Sequence, residues 1–301
     1  SSIRWVKRDL KINFLSVRNI ATFLSIALIT LSLFFIIYQN LNFGIDFKGG
    51  TLIEIKKSSE KSLSDIRGDL SSLNLGDIQI QTFGSEDNIL IRIENLTSGQ
   101  GNANLTPAKL ITEKLGSGFE VQRTEIVGPK VSSELIQKGL LAIIIAVFLM
   151  LFYIWIRFEW QFSIGAVAAL IHDIIITIGI FSFLKIEFNL SIIAALLTII
   201  GYSMNDTVVV YDRIRENLRK YKQMELFDLI NKSLNETMSR TLLTSVTTLL
   251  ALFSLYFLGG EVLKGFTFAM ILGVFIGTYS SVFIASQIIL YLNVKRDWSK
   301  N

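Results

Sequence analysis

Six stretches of this chain are each long and apolar enough to cross a lipid bilayer, and they restrict its fold more than any other feature. A crossing takes about 20 helical residues. A backbone in hydrocarbon must also satisfy its own hydrogen bonds, which leaves helices as the spanning form here. The stretches are residues 20–38, 139–156, 162–183, 190–210, 241–258 and 266–292. A mean hydropathy of +0.51 and a 51% hydrophobic composition exceed what a soluble domain of 301 residues needs. No small-residue cleavage pattern follows the first stretch, so it reads as an uncleaved anchor.

Basic residues near span ends set orientation. Arg4, Lys7, Arg8, Lys11 and Arg18 precede the first span. Arg213, Arg215, Arg219, Lys220 and Lys222 follow the fourth, and Lys295, Arg296 and Lys300 lie in the tail. With six spans, all of them fall on one side. The expected organisation is a cytoplasmic segment at 1–19, a first transmembrane helix at 20–38 and an extracytoplasmic domain at 39–138. A five-helix bundle at 139–292, with a cytoplasmic amphipathic loop at 211–240, and a cytoplasmic tail at 293–301 complete it. The chain then crosses its membrane several times, with both termini in the cytoplasm. The basic loop reads as topology and not as a nucleic-acid surface.

Residues 42–137 have soluble composition, with 10 Lys/Arg against 13 Asp/Glu. Strand alternation at 51–55, 78–83, 89–93 and 119–127 interleaves with helical spacing at 62–73 and after Pro107. Ser62 and Thr106 are placed as N-caps, and a polar turn is expected around Gly84. Residues 97–104 read as a polar loop, and Gly128-Pro129 as the stop of the last strand. The order βαββαβ is that of a ferredoxin-like unit. The fold class is therefore a polytopic α-helical membrane protein with one α+β insert between its first and second helices.

Catalytic chemistry finds little footing. There is no cysteine and one histidine, so thiolate and multi-His metal sites are excluded. Lys48-Gly49-Gly50 lacks the spacing of a phosphate loop and reads as a tight turn. No cofactor, no metal and no enzyme activity are expected.

Asp206 stands inside an apolar run, where a carboxylate costs roughly 2.5–3.5 kcal/mol on insertion scales. At helical spacing it shares a face with Ser191, Ala195, Ile199, Tyr202 and Ser203. Arg240 opens the next apolar run and shares a face with Thr244, Thr247, Ala251 and Ser254. The third span carries Gly165, Ala169, His172 and Gly179 on one stripe, with Asp173 beside it. The sixth repeats small residues at Gly265, Ala269, Gly273, Gly277, Ser281 and Ala285, a ladder that admits a close backbone. Spans three to six are thus expected to pack around a polar seam. Asp206 and Arg240 are candidates for a proton pathway, with Asp173, His172, Ser203, Tyr202 and Thr244 as candidate relays. Plainer readings stand beside these: Asp206 pairing with Arg213, Arg240 snorkelling to headgroups, and His172 as a satisfied core residue.

Several motifs then resemble one family in order along the chain. They are the run from Asn42 to Gly50 (Asn-Phe-Gly-Ile-Asp-Phe-Lys-Gly-Gly), Val127-Gly128-Pro129, the run from Gly201 to Val210 (Gly-Tyr-Ser-Met-Asn-Asp-Thr-Val-Val-Val) leading into Asp212–Asn217, and the run from Ser239 to Ser245. Together they resemble the SecF type of the SecD/SecF protein-export family, in the resistance-nodulation-division (RND) superfamily. The resemblance implies pairing with SecD and work beside the SecYEG channel, with YajC as a further partner. It also implies a translocating unfolded polypeptide as client and the proton motive force as drive for late-stage export. It carries a proton-conducting role onto Asp206 and Arg240, with a second acid supplied by the partner. A small-molecule exporter of RND type and a non-conducting scaffold subunit are the alternatives.

Overall fold

The computed structural model describes residues 11–58, 60–73, 75, 78–93 and 107–294. The expected cap at Thr106, the loop at 97–104 and the basic residues of the first ten and last seven positions lie outside these. A 3-10 turn at Phe14–Val17 leads into α1 (Arg18–Gln39). Next come β1 (Asn42–Phe43), α2 (Ile45–Lys48), β2 (Gly50–Lys57), α3 (Leu63–Ser71), β3 (Ile78–Phe83), β4 (Ser85–Ile93), α4 (Pro107–Leu115) and β5 (Phe119–Val127). The rest is α5 (Pro129–Arg157), α6 (Trp160–Leu184), β6 (Glu187–Phe188), α7 (Leu190–Lys220), α8 (Leu226–Leu258), α9 (Glu261–Ser280), a π turn (Ser281–Ala285) and α10 (Ser286–Tyr291). The chain divides into two compact units: a sheet unit of Phe43–Leu140 with Glu187–Leu190, and a helical unit holding the remainder.

In the sheet unit the strand order is β3-β4-β2-β5, every neighbour antiparallel. This is the split βαβ arrangement that the sequence order implies. Ile53, Ile55, Ile89, Ile91 and Ile93 are buried together with Ile66 and Leu70 of α3 and Ile111 and Leu115 of α4. Alternation along each strand puts these residues on the face the helices cover. Ser62 caps α3 in a capping box with Asp65, and these Ser62 bonds hold the Asp65 carboxyl below its usual range. The expected polar turn after Phe83 is shorter than its composition suggests. Gly84 alone turns the chain at φ 80°, and the polar residues from Ser85 on already belong to β4.

The four residues Glu187–Leu190 separate α6 from α7 in sequence yet belong to the sheet unit. The Gly44 amide donates to the Phe188 carbonyl at 2.9 Å, and the Leu190 amide to the Asp46 carboxylate at 2.8 Å. Asp46 thereby satisfies an orphan donor at the start of α7. Rings of Phe43, Phe47 and Phe188 meet with centroids about 6 Å apart. Arg92, buried on β4, pairs with Glu187 at 2.5 Å. A Cβ on Gly44 would stand 2.6 Å from the Glu187 carboxylate, so a larger residue there would displace the side chain that Arg92 holds.

Burial raises the pKa of Glu187, Arg92 opposes that, and Asp46 and Glu125 add to it. A raised carboxyl favours the folded state at low pH, and that contribution fades as pH climbs through the folded value. Arg92→Met removes the opposing charge and leaves a buried carboxylate alone. The sheet unit is expected to lose about 3 kcal/mol, at the low end for a broken buried pair. The loss should shrink on acidification as Glu187 takes up a proton. Denaturant unfolding of the variant at pH 8 and pH 5 reads both, and a pH-independent loss would contradict the assignment.

Among the described residues, six helices are long and apolar enough to cross a membrane. Several overrun the apolar stretches that announce them. α5 starts at Pro129, α7 continues to Lys220 and α8 begins at Leu226, so residues 211–240 are helical apart from 221–225. The polar extensions still carry buried Tyr211, Ile214 and Leu218, and Leu229, Ile230, Leu234 and Met238, at helical spacing. Residues ahead of α1 are strapped to this part: the Phe14 amide donates to Asn231 at 2.8 Å and the Ile12 amide to Asn235 at 2.9 Å.

Spans three to six were expected to pack as one bundle, and the structure narrows this. The apolar windows of α6, α7 and α9–α10 are 56% buried, against 11% for α5 and α8. α6, α7 and α9–α10 are the interior, and the second half of α8 is peripheral. The small-residue ladder has the expected use. A side chain at Gly273 would collide with Ile199 of α7, and one at Gly277 would come within 3.0 Å of Ser203. Gly273→Ala is expected to cost about 1–3 kcal/mol by overpacking. Gly201→Ala, with open space around the added carbon, should be neutral or slightly stabilising. Thermal unfolding of the two variants in detergent tests the contrast.

Candidate functional site in the helical unit

The deepest polar cluster centres on Asp173, which is fully buried on α6. Its carboxylate accepts from Ser203 of α7 at 2.7 Å and from Ser280 of α9 at 2.8 Å, both on one oxygen. The other oxygen meets His172 Nδ1 at 2.9 Å. Three helices therefore converge on one carboxylate. The Gly277 approach to Ser203 is what allows α9 to bring Ser280 so near. Tyr279 stacks on the His172 ring at 6.0 Å, and its hydroxyl meets Ser25 of α1 at 2.9 Å. The His172 Nε2 is buried without a hydrogen-bond partner, and the residue lines a cavity of about 250 Å³ together with Thr22, Ser25 and Gln287. The π turn starts one residue after Ser280. Such turns recur at functional sites, because a widened turn re-aims its side chains.

Asp206 lies one turn along α7 from Ser203, on the same face. It is 3% exposed, and its Oδ2 has no hydrogen-bond partner. Arg240 is exposed on α8. Among the described residues the two form no ion pair. The plainer reading of Asp206 as the partner of Arg213 does not hold, because Arg213 is engaged by Glu216 at 2.6 Å and Glu236 at 2.8 Å.

The sequence-derived candidates thus separate. Asp173, His172 and Ser203 are brought together, and Asp206 adjoins them. The Tyr202 hydroxyl instead reaches Thr248 of α8 at 3.4 Å, and the Thr244 hydroxyl returns to the Arg240 carbonyl at 3.0 Å. Asp173, set beside the stripe in the sequence reading, is the hub. Ser280, Tyr279 and the π turn were missed. Ser280 lies three residues beyond Gly277, so the face of the ladder was the available signal. No group of three His, Cys, Asp or Glu side chains that could hold a metal occurs among the described residues.

The class defined by these features is a multi-pass helical membrane protein that carries buried ionisable groups and a ferredoxin-like insert. Residues 108–295 match the family described as protein export membrane protein SecD/SecF, C-terminal, and residues 41–56 match the SecD/SecF GG motif. Protein translocase subunit SecF of Rhodobacter capsulatus is 45% identical over 86% of this chain and 82% of its own. That of Vibrio alginolyticus is 43% identical over 97% and 93%. The crystal structure of SecDF, a translocon-associated membrane protein from Thermus thermophilus, matches with a TM-score of 0.86 and 32% identity. The match covers 96% of this chain and 39% of the SecDF chain, so this chain spans about two fifths of that longer protein. The chain belongs to the SecF family of protein translocase subunits.

Asp173→Leu should leave Ser203, Ser280 and His172 without their acceptor, at about 1–3 kcal/mol for each orphaned group. Asp206→Asn removes a charge without orphaning a partner at its free oxygen and should leave thermal stability within about 1 kcal/mol of wild type. Parallel melting curves in detergent check this ordering, and equal losses would contradict it.

Proposed function

We propose that this chain is a proton-coupled accessory subunit of the Sec translocase of a bacterial inner membrane. It works with a SecD partner beside the SecYEG channel and promotes late-stage export of unfolded polypeptide. The observation that carries the reading is the unpartnered carboxylate of Asp206, buried one helical turn from the Ser203–Asp173–His172 network. A carboxylate that satisfies no structural bond is free to change charge state. The neighbouring hydroxyls and the imidazole supply groups through which a proton can pass.

Arg240 supports the same reading from α8. Its guanidinium stays protonated at any working pH. It lies on an exposed stripe with Thr247 and Ser254, whose hydroxyls close back on carbonyls of their own helix. A stripe left so open is suited to cover by a second subunit that carries its own acid. The structural relative is a SecDF protein of which this chain spans about two fifths, and SecD is the partner we assign. Moving one charge through 100 mV is worth about 2.3 kcal/mol, enough to bias a conformational step. We place the sheet unit and the short loops outside the cytoplasm, and both termini within it.

In vesicles carrying this chain, SecD and SecYEG, Asp206→Asn and Arg240→Ala should assemble normally. Both should lose at least tenfold of the gradient-dependent gain in late-stage export. Assembly with undiminished export would instead identify a scaffold that conducts nothing.

A further inference from the structure

We infer that the cavity between the ends of α5 and α7 is a binding site for the headgroup of an anionic membrane phospholipid. The cavity measures about 450 Å³ and is lined by Arg157, Asp212, Arg215, Glu216, Arg219 and Lys220. Four cations against two anions leave a net positive site, which fits a phosphodiester. Two of its guanidinium groups are held in place before any ligand arrives. Arg157 lies over the Phe158 ring at 5.0 Å and Arg215 over it at 5.9 Å. Phe158 itself is buried, packed against Phe162 at 5.6 Å and Tyr211 at 6.0 Å. Arg215 donates to the Arg157 carbonyl at 3.0 Å, and Arg157 pairs with Asp212 at 3.0 Å. Guanidinium groups fixed in this way lose little freedom on meeting phosphate oxygens.

The level of the cavity in the membrane follows from its neighbours. Trp155, Ile156 and Trp160, on either side of the turn that carries Arg157 and Phe158, are each more than half exposed. Exposed tryptophans at a helix end mark the headgroup level of a bilayer. Arg219 and Lys220 close α7 at the same cavity, between two and three turns past the end of its apolar run at Val210. A basic pocket between helix ends at that depth matches how anionic headgroups are recognised. A lipid bridging α5 and α7 would brace the base of the helix that carries Asp206. The inference does not depend on the proton-coupling reading.

The test is native mass spectrometry of the full chain released from nanodiscs that contain phosphatidylglycerol and phosphatidylcholine in equal amounts. Wild type should retain phosphatidylglycerol preferentially. R219Q/K220Q changes two exposed side chains and should lose that preference by about fivefold for each cation removed. K138Q, in the sheet unit, removes one positive charge away from the cavity, as R157Q removes one at it, and should behave as wild type. R157Q provides a second variant and should show the same loss. The inference is overturned if R219Q/K220Q and R157Q retain phosphatidylglycerol as wild type does. It is overturned equally if millimolar inorganic phosphate displaces the lipid, since the site would then be one for free anions.

Discussion

A carboxylate buried among apolar helices must be met by donors, and the helical unit is arranged around that demand at Asp173. Two hydroxyls and the imidazole of the preceding residue meet it, and helix packing had to bring both hydroxyls within 3 Å. Ser280 arrives because the glycine ladder of α9 lets that helix lie against α7. Ser203 faces the bare backbone of Gly277, where an added Cβ would stand 3.0 Å from its own. The buried charge and the small residues are therefore one constraint. Removing the glycines would pull the donors away, and removing the carboxylate would leave those donors facing apolar surroundings.

Asp206 gains its character from this neighbourhood. Its sister acid, Asp173 on α6, uses both of its oxygens in hydrogen bonds. Asp206 keeps an oxygen uncommitted, and among the described residues Arg240 of α8 forms no ion pair with it. One acid holds helices together and the other is left adjustable, although the same residue type serves both.

Much of this was legible in the sequence. Long apolar runs announced the six helices, since bilayer thickness fixes their length. Alternation announced the strands of the sheet unit, and the spacing of small residues announced the face of α9. What stayed hidden depended on long-range geometry. Periodicity put Asp173 beside its stripe and not at its centre, because which of two adjacent residues becomes the hub is decided by the helices that arrive from elsewhere. The polar extensions of α7 and α8 were taken for a loop, since their burial comes from packing against the chain ahead of α1 and against each other. Arg92 and Glu187, far apart in sequence, gave no sign that they would meet. The hydroxyls of Tyr202 and Thr244 lie on the expected faces but serve other partners.

The π turn at Ser281–Ala285 has an effect on spacing. In an α-helix a repeat of four residues overshoots one turn, so a ladder at that spacing drifts steadily around the axis. A π turn, bonded from i to i+5, rotates less per residue and takes part of that drift back. The turn begins at Ser281, so it acts on the last step of the ladder, from Ser281 to Ala285, and both residues are buried. One widened turn thus acts as a phase correction at the ladder's end. It swings the last rung back toward the face from which the earlier ones were drifting.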